Sequence, residues 1–142
     1  MEQFGLGKVM HGGTYNGHPV NMAATVATLK ALKEGHTYAL IEQRGARLME
    51  GLKEILGRHN IPARVQGFPG IFHVAFGTTK PSENYRDLFA IDRPRYVRFT
   101  TALIERGVRA LERGAWFLSS EHDDSILDRT LQAVEDAAST VA

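Results

Sequence analysis

The 142-residue chain contains no cysteine. Disulfides, thiolate nucleophiles and zinc–thiolate centres are therefore excluded, and a reducing cytoplasm is the expected compartment. No apolar run approaches the roughly 20 residues that span a bilayer, so no membrane partner is expected. The start, Met1-Glu2-Gln3-Phe4-Gly5, has no basic stretch followed by an apolar core and does not read as a secretory signal. Neither sign of charge is in excess, since 17 basic residues nearly cancel 16 acidic ones. A nucleic-acid footprint needs a net basic face, and none is expected here. The local cluster Arg93, Arg95 and Arg98 reads as surface arginines on a helix. Ser82, Ser119, Ser120, Ser125 and Ser139 fall at helix caps, strand ends or the tail, with no nucleophile elbow around them.

What is present is enough for a core. Apolar residues make up 43% of the chain, and a chain of this length buries roughly two-thirds of its extended surface on folding. One stretch organises the rest: His11-Gly12-Gly13-Thr14-Tyr15-Asn16-Gly17-His18-Pro19. Its three glycines permit backbone geometries that a β-carbon forbids and let main-chain N–H groups approach a ligand. Pro19 sets φ for a first helical turn. A polar loop running into a helix N-terminus suits an anion, because the first N–H groups there have no partner within the helix. An ordinary surface loop with a helix start accounts for the same spacing. His11 and His18 have no carboxylate nearby in sequence, and no metal site is expected. Gly5-Leu6-Gly7-Lys8 lacks the first glycine of a phosphate loop and has Val9 in place of the magnesium-binding hydroxyl, so it is dismissed.

From Pro19 to about Glu34 the pattern is helical, with Val20, Ala23, Ala24, Ala27 and Ala31 on one stripe and Met22, Val26 and Leu29 beside it. A second helix spans about Tyr38 to His59, with Ile41, Leu48, Leu52, Ile55 and Leu56 at helical spacing. Gly45 and Gly51 inside it mark a tightly packed face. Strands are expected at Ala63–Gln66 and Ile71–Phe76, and the alternation in the second predicts cover on both faces. His73 reads as a histidine satisfied in or at the rim of the sheet. A helical stretch from Pro81 is interrupted at Asp92-Arg93-Pro94, and Tyr96, Thr100, Leu103 and Ile104 give its later half an inner face. Val108–Leu111 and Ala115–Ser119 predict a hairpin around Glu112-Arg113-Gly114. Asp123 or Asp124 caps a last helix striped by Leu127, Thr130, Leu131, Val134 and Ala138. The order predicts an α+β layer: a small, mainly antiparallel sheet covered by helices. The residues alone show no complete active site.

The segment Gly7–Val20, followed by Met22-Ala23-Ala24 and Ala27-Thr28-Leu29, closely resembles part of the class-III pyridoxal-phosphate (PLP) aminotransferases, on the glutamate-1-semialdehyde 2,1-aminomutase branch. Val65-Gln66-Gly67-Phe68-Pro69-Gly70-Ile71-Phe72 is similar to the family's glycine-flanked strand pair. Arg106-Gly107-Val108 and Trp116-Phe117-Leu118-Ser119, with His122, are similar to its final hairpin. That hairpin lacks a Pro-Ser segment of the aminomutases, which points toward an aminotransferase-like relative.

The resemblance implies the C-terminal small domain of a fold-type-I PLP enzyme. Residues 1–35 would form a cofactor and dimer loop with the interdomain helix, and residues 36–142 the small α+β domain. It implies a homodimer whose N-terminal large domain supplies the Schiff-base lysine and the main phosphate loop. None of Lys8, Lys30, Lys33, Lys53 and Lys80 matches the lysine motif, so the chain alone is expected to be inactive and to bind no PLP by itself. Thr14 stands where the family's threonine reaches the neighbouring subunit's cofactor phosphate, with the Gly13 N–H beside it. A standalone, non-catalytic dimerisation module built on the alanine stripe is the alternative.

Overall fold

The computed structural model describes residues 2–10 and 12–142, which divide into two compact units, Met1–His36 and Thr37–Ala142. His11, which opens the glycine loop, lies outside the described residues.

The first unit holds a short helix α1 (Glu2–Gly5) and helix α2 (Pro19–Glu34). Pro19 sits in the first turn of α2, where the missing N–H costs no bond. The Gly35 N–H closes the last turn onto the Ala31 carbonyl at 2.9 Å. No residue of α2 is buried. Val20, Met22, Val26 and Leu29 all stand exposed.

The second unit opens with α3 (Thr37–Arg58), whose Leu48, Leu52, Ile55 and Leu56 are buried at helical spacing. Strands β1 (Ala63–Phe68) and β2 (Ile71–Phe76) form an antiparallel pair joined by a tight turn at Pro69-Gly70. Helix α4 (Arg93–Glu105) follows a 3-10 helix (Tyr85–Ala90), then come β3 (Ala115–Phe117) and α5 (Asp124–Val141). The interruption expected at Asp92 is a helix start, where the Asp92 carboxylate accepts from the Arg95 N–H at 3.1 Å. Asp123 caps α5 in the same way, accepting from Ile126 at 2.9 Å.

The sheet has three strands in the order β1-β2-β3, and the α+β class is as expected. Its core face carries Phe72, Val74, Phe76 and Trp116 against α3, α4 and α5. The glycine reading of α3 holds. A β-carbon on Gly45 would lie 2.1 Å from the Pro69 carbonyl oxygen, and one on Gly51 would lie 2.5 Å from a Leu131 methyl.

Three expectations are corrected. Val108–Leu111 is not a strand: the Val108 N–H closes α4 by donating to the Leu103 carbonyl at 2.9 Å, behind Gly107 at φ +79°. This helix ending uses the left-handed glycine to satisfy carbonyls that the helix leaves open. β3 therefore pairs with β2, Phe72 opposite Trp116, rather than with its sequence neighbour. Ile104 faces out at 58% exposure, and Phe99, fully buried, takes the inner position. The second face of the sheet is covered only in part: Arg64 and Ala75 are buried, while Phe68, Ile71 and Phe117 at its other end are exposed.

Candidate functional site

The glycine loop leads into α2. The Asn16 N–H donates to the Gly13 carbonyl at 3.0 Å and the His18 N–H to the Tyr15 carbonyl at 3.2 Å, two consecutive turns. Gly17 sits at φ +73°, which favours glycine. A β-carbon on Gly13 would come within 2.9 Å of the Asn16 side-chain oxygen, so the Asn16 side chain lies close over this turn. His18 occupies the cap position of α2 without a capping side-chain bond, and its ring meets Tyr15 edge-on with centroids 6.1 Å apart. Gly12, Gly13 and Thr14 are exposed. The loop thus presents an accessible backbone and a hydroxyl beside a helix start, neutral donors of a kind that can meet an anion. All five lysines are exposed, and Lys53 pairs with Glu50 at 3.1 Å. Among the described residues, no cluster of three or more His, Asp or Glu side chains is placed to hold a metal ion. No described helix is long and apolar enough to cross a membrane.

His73 is satisfied on one side, as expected of a rim histidine: its Nε2 lies 2.9 Å from the Arg113 carbonyl oxygen. Burial, aided by the Arg64 charge, holds its pKa below the ordinary value. It sits in the wall of a cavity of about 220 Å³ that also takes in Tyr85, Leu88, Phe89 and Tyr96. The roof is a strap, residues 78–91, whose ends are stitched together. The Asp92 N–H donates to the Phe76 carbonyl at 2.8 Å, and Gly77, at φ +81°, donates to Pro62 at 2.7 Å. Asp87 pins the strap's 3-10 helix by accepting from the Glu83 and Asn84 N–H groups at 2.7 and 3.0 Å. Those bonds hold its carboxyl below the usual range.

The sequence pointed to no role for Arg64, and Ser82 read only as one of the serines at helix caps, strand ends or the tail. Arg64 is 8% exposed and donates from Nη1 to the Lys80 carbonyl at 2.6 Å. The available signal was alternation on β1, where Arg64 and Gln66 flank Val65 and so share one face. The polar run Glu121-His122-Asp123-Asp124 has a structural use: Asp123 caps α5, Asp124 meets Arg47 at 2.9 Å, and His122 Nδ1 accepts from the Ser119 N–H at 3.0 Å.

A helix-covered antiparallel sheet, preceded in the sequence by a glycine loop and a helix, is the small-domain architecture of fold-type-I PLP transaminases. The family described as Aminotransferase class-III matches residues 1–134, and the chain belongs to it. Among curated relatives, the glutamate-1-semialdehyde 2,1-aminomutase of Methanocaldococcus jannaschii is 33% identical over 139 residues, covering 96% of this chain and 32% of the relative. That of Desulforudis audaxviator is 36% identical over 133 residues, covering 92% and 31%. The chain thus spans about a third of the length of the relatives it matches. Among solved structures, the PLP internal aldimine form of the Sphingopyxis sp. MTA144 FumI protein superposes with a TM-score of 0.77 at 24% identity, covering 94% of this chain and 30% of that one. An omega-transaminase from Sphaerobacter thermophilus gives 0.73 at 24% identity, covering 94% and 30%. These two likenesses speak to the fold.

Proposed function

We propose that the chain serves as the C-terminal part of a PLP-dependent aminotransferase or aminomutase of the glutamate-1-semialdehyde aminomutase type. The observation that carries the reading is the class-III match over residues 1–134, within which Gly13 and Thr14 stand exposed in a turn closed by Asn16. PLP, when bound, supplies the electron sink for amino-group transfer. This chain's share is binding: the Gly13 N–H and the Thr14 hydroxyl donate to the cofactor phosphate of the neighbouring subunit in a homodimer. Neutral donors add direction to a phosphate whose charge is matched by other residues. The exposed apolar residues of α2 serve as cover for the large domain.

No lysine here sits in a desolvated pocket of the kind that activates a Schiff-base residue; all five are exposed. On this reading the chain alone neither transaminates nor captures the cofactor at one position. Incubation with PLP, borohydride reduction and peptide mapping test this. Scattered substoichiometric labelling is expected. One lysine labelled specifically and stoichiometrically overturns the reading.

A further inference from the structure

Among the described residues, three buried side-chain polar atoms have no hydrogen-bond partner: Arg64 Nε, His73 Nδ1 and Ser82 Oγ. All three belong to one layer. Arg64 pairs across the ladder with Ala75, and Gln66 with His73, so Arg64 and His73 are diagonal neighbours on the same face. Ser82 rides on the strap and is clamped to that face by two bonds with Gln66, at 2.9 and 3.1 Å. Buried polar groups are almost always satisfied, so three orphans in one layer ask for a physical reason.

Arg64 sharpens the question. Its guanidinium is permanently charged and 8% exposed. Its Nη1 donates to the Lys80 carbonyl, and among the described residues it enters no ion pair within 4.0 Å. Asp87 acts on it only at longer range, its Oδ2 accepting from the Glu83 and Asn84 N–H groups. A buried cation without a bonded counter-charge is costly unless an anion meets it.

The chemical types of the three atoms narrow the partner. The Arg113 carbonyl can only accept, so His73 Nε2 carries the ring proton and Nδ1 offers a lone pair. Arg64 Nε–H donates, and the Ser82 hydroxyl does either. A matching ligand therefore needs negative oxygens together with one O–H.

We propose that the layer between the strap and the second sheet face binds a small phosphate-class oxyanion that carries a proton, through Arg64, Ser82 and His73. The cavity beneath Tyr85, Leu88 and Phe89, with His73 in its wall, is the approach, and the strap lifts to admit the ion. The site uses no residue of the glycine loop, so its failure leaves the aminotransferase reading intact.

The test is nuclear magnetic resonance on the full 142-residue chain, following the Arg64 Nε–H and His73 ring nitrogen signals. Inorganic phosphate is titrated at fixed pH, with sodium chloride holding ionic strength constant. The expected result is saturation of both signals at millimolar phosphate. Sulfate has the same shape but no O–H at neutral pH, and it should bind about tenfold more weakly, the value of one lost hydrogen bond. Ser82→Ala should weaken phosphate by a similar factor while the rest of the spectrum stays in place. Arg64→Lys, which keeps the charge but loses the Nε–H, should abolish saturation. A parallel arm with phenyl phosphate assigns the source: tighter binding points to a phosphate ester whose body enters the cavity, equal or weaker binding to the free ion. A response that is non-saturating, that chloride reproduces, or that Ser82→Ala leaves unchanged overturns the proposal.

Discussion

The indole N–H of Trp116 donates to the phenolic oxygen of Tyr96 at 2.9 Å, both rings lying in the core between the sheet and α4. Trp116 stacks on Phe72 at 5.9 Å, and Tyr96 meets Phe76 edge-on at 5.1 Å. Burial pushes the Tyr96 hydroxyl well above its ordinary pKa, so it stays a neutral acceptor. Tyr96→Phe keeps the ring packing but strands the indole N–H, at a cost of about 1–3 kcal/mol. Urea unfolding should show a lower midpoint with an unchanged slope. In a Trp116→Phe background the same change should cost far less, because no donor remains to be stranded.

The glycines of α3 separate three cases. Gly45→Ala sets a methyl against the Pro69 carbonyl, which is backbone and cannot yield without moving the β1–β2 turn. A loss of about 1–3 kcal/mol is expected despite alanine's higher helix propensity. Gly51→Ala meets only the mobile end of Leu131 and should be nearly neutral. Gly57→Ala meets nothing within 4 Å and should stabilise by roughly 0.5–1 kcal/mol. Thermal melts of the three variants give the ranking, and a stable Gly45→Ala contradicts the packing described.

Stability should fall in acid in two stages. His73 has a depressed folded-state pKa, chiefly through burial. The unfolded chain therefore takes up its proton first, and stability drops as pH falls below about 6.5. Glu135 is held low by hydrogen bonds from His59, at 2.7 Å, and from Arg58. Its contribution is present above the unfolded carboxylate pKa and is lost as pH falls through the folded one. His73→Gln should remove the upper stage, and Glu135→Gln should shrink the lower one. Urea midpoints across the pH range check both.

Much of the second unit was legible because its signals are local. The apolar stripes of α3 and α5, the alternation of β2 and the Asp123 cap all lie within one element. The strand at β3 was legible too, but its partner was not, because it pairs with β2, more than 40 positions earlier. The segment Val108–Leu111 looks like a strand, yet Gly107 commits Val108 to closing α4. The polar layer under the strap escaped for the same reason: Arg64 and His73 share a face only once the ladder register is set, and Ser82 joins them only when the strap bonds to Gln66. For the glycine loop, spacing offered an anion-friendly turn, and its assignment to Gly13 and Thr14 rests on family resemblance.

On the proposed reading, this chain completes a cofactor site whose other residues lie in a large domain. The most direct measurement is co-expression with the large domain of a class-III relative, comparing PLP retained through dialysis by the wild type and by Thr14→Ala. The account predicts a complex that holds PLP, with retention weakened about tenfold in the variant, the worth of one hydrogen bond to a charged group. Failure of the two parts to assemble, or equal retention with and without the Thr14 hydroxyl, would contradict it.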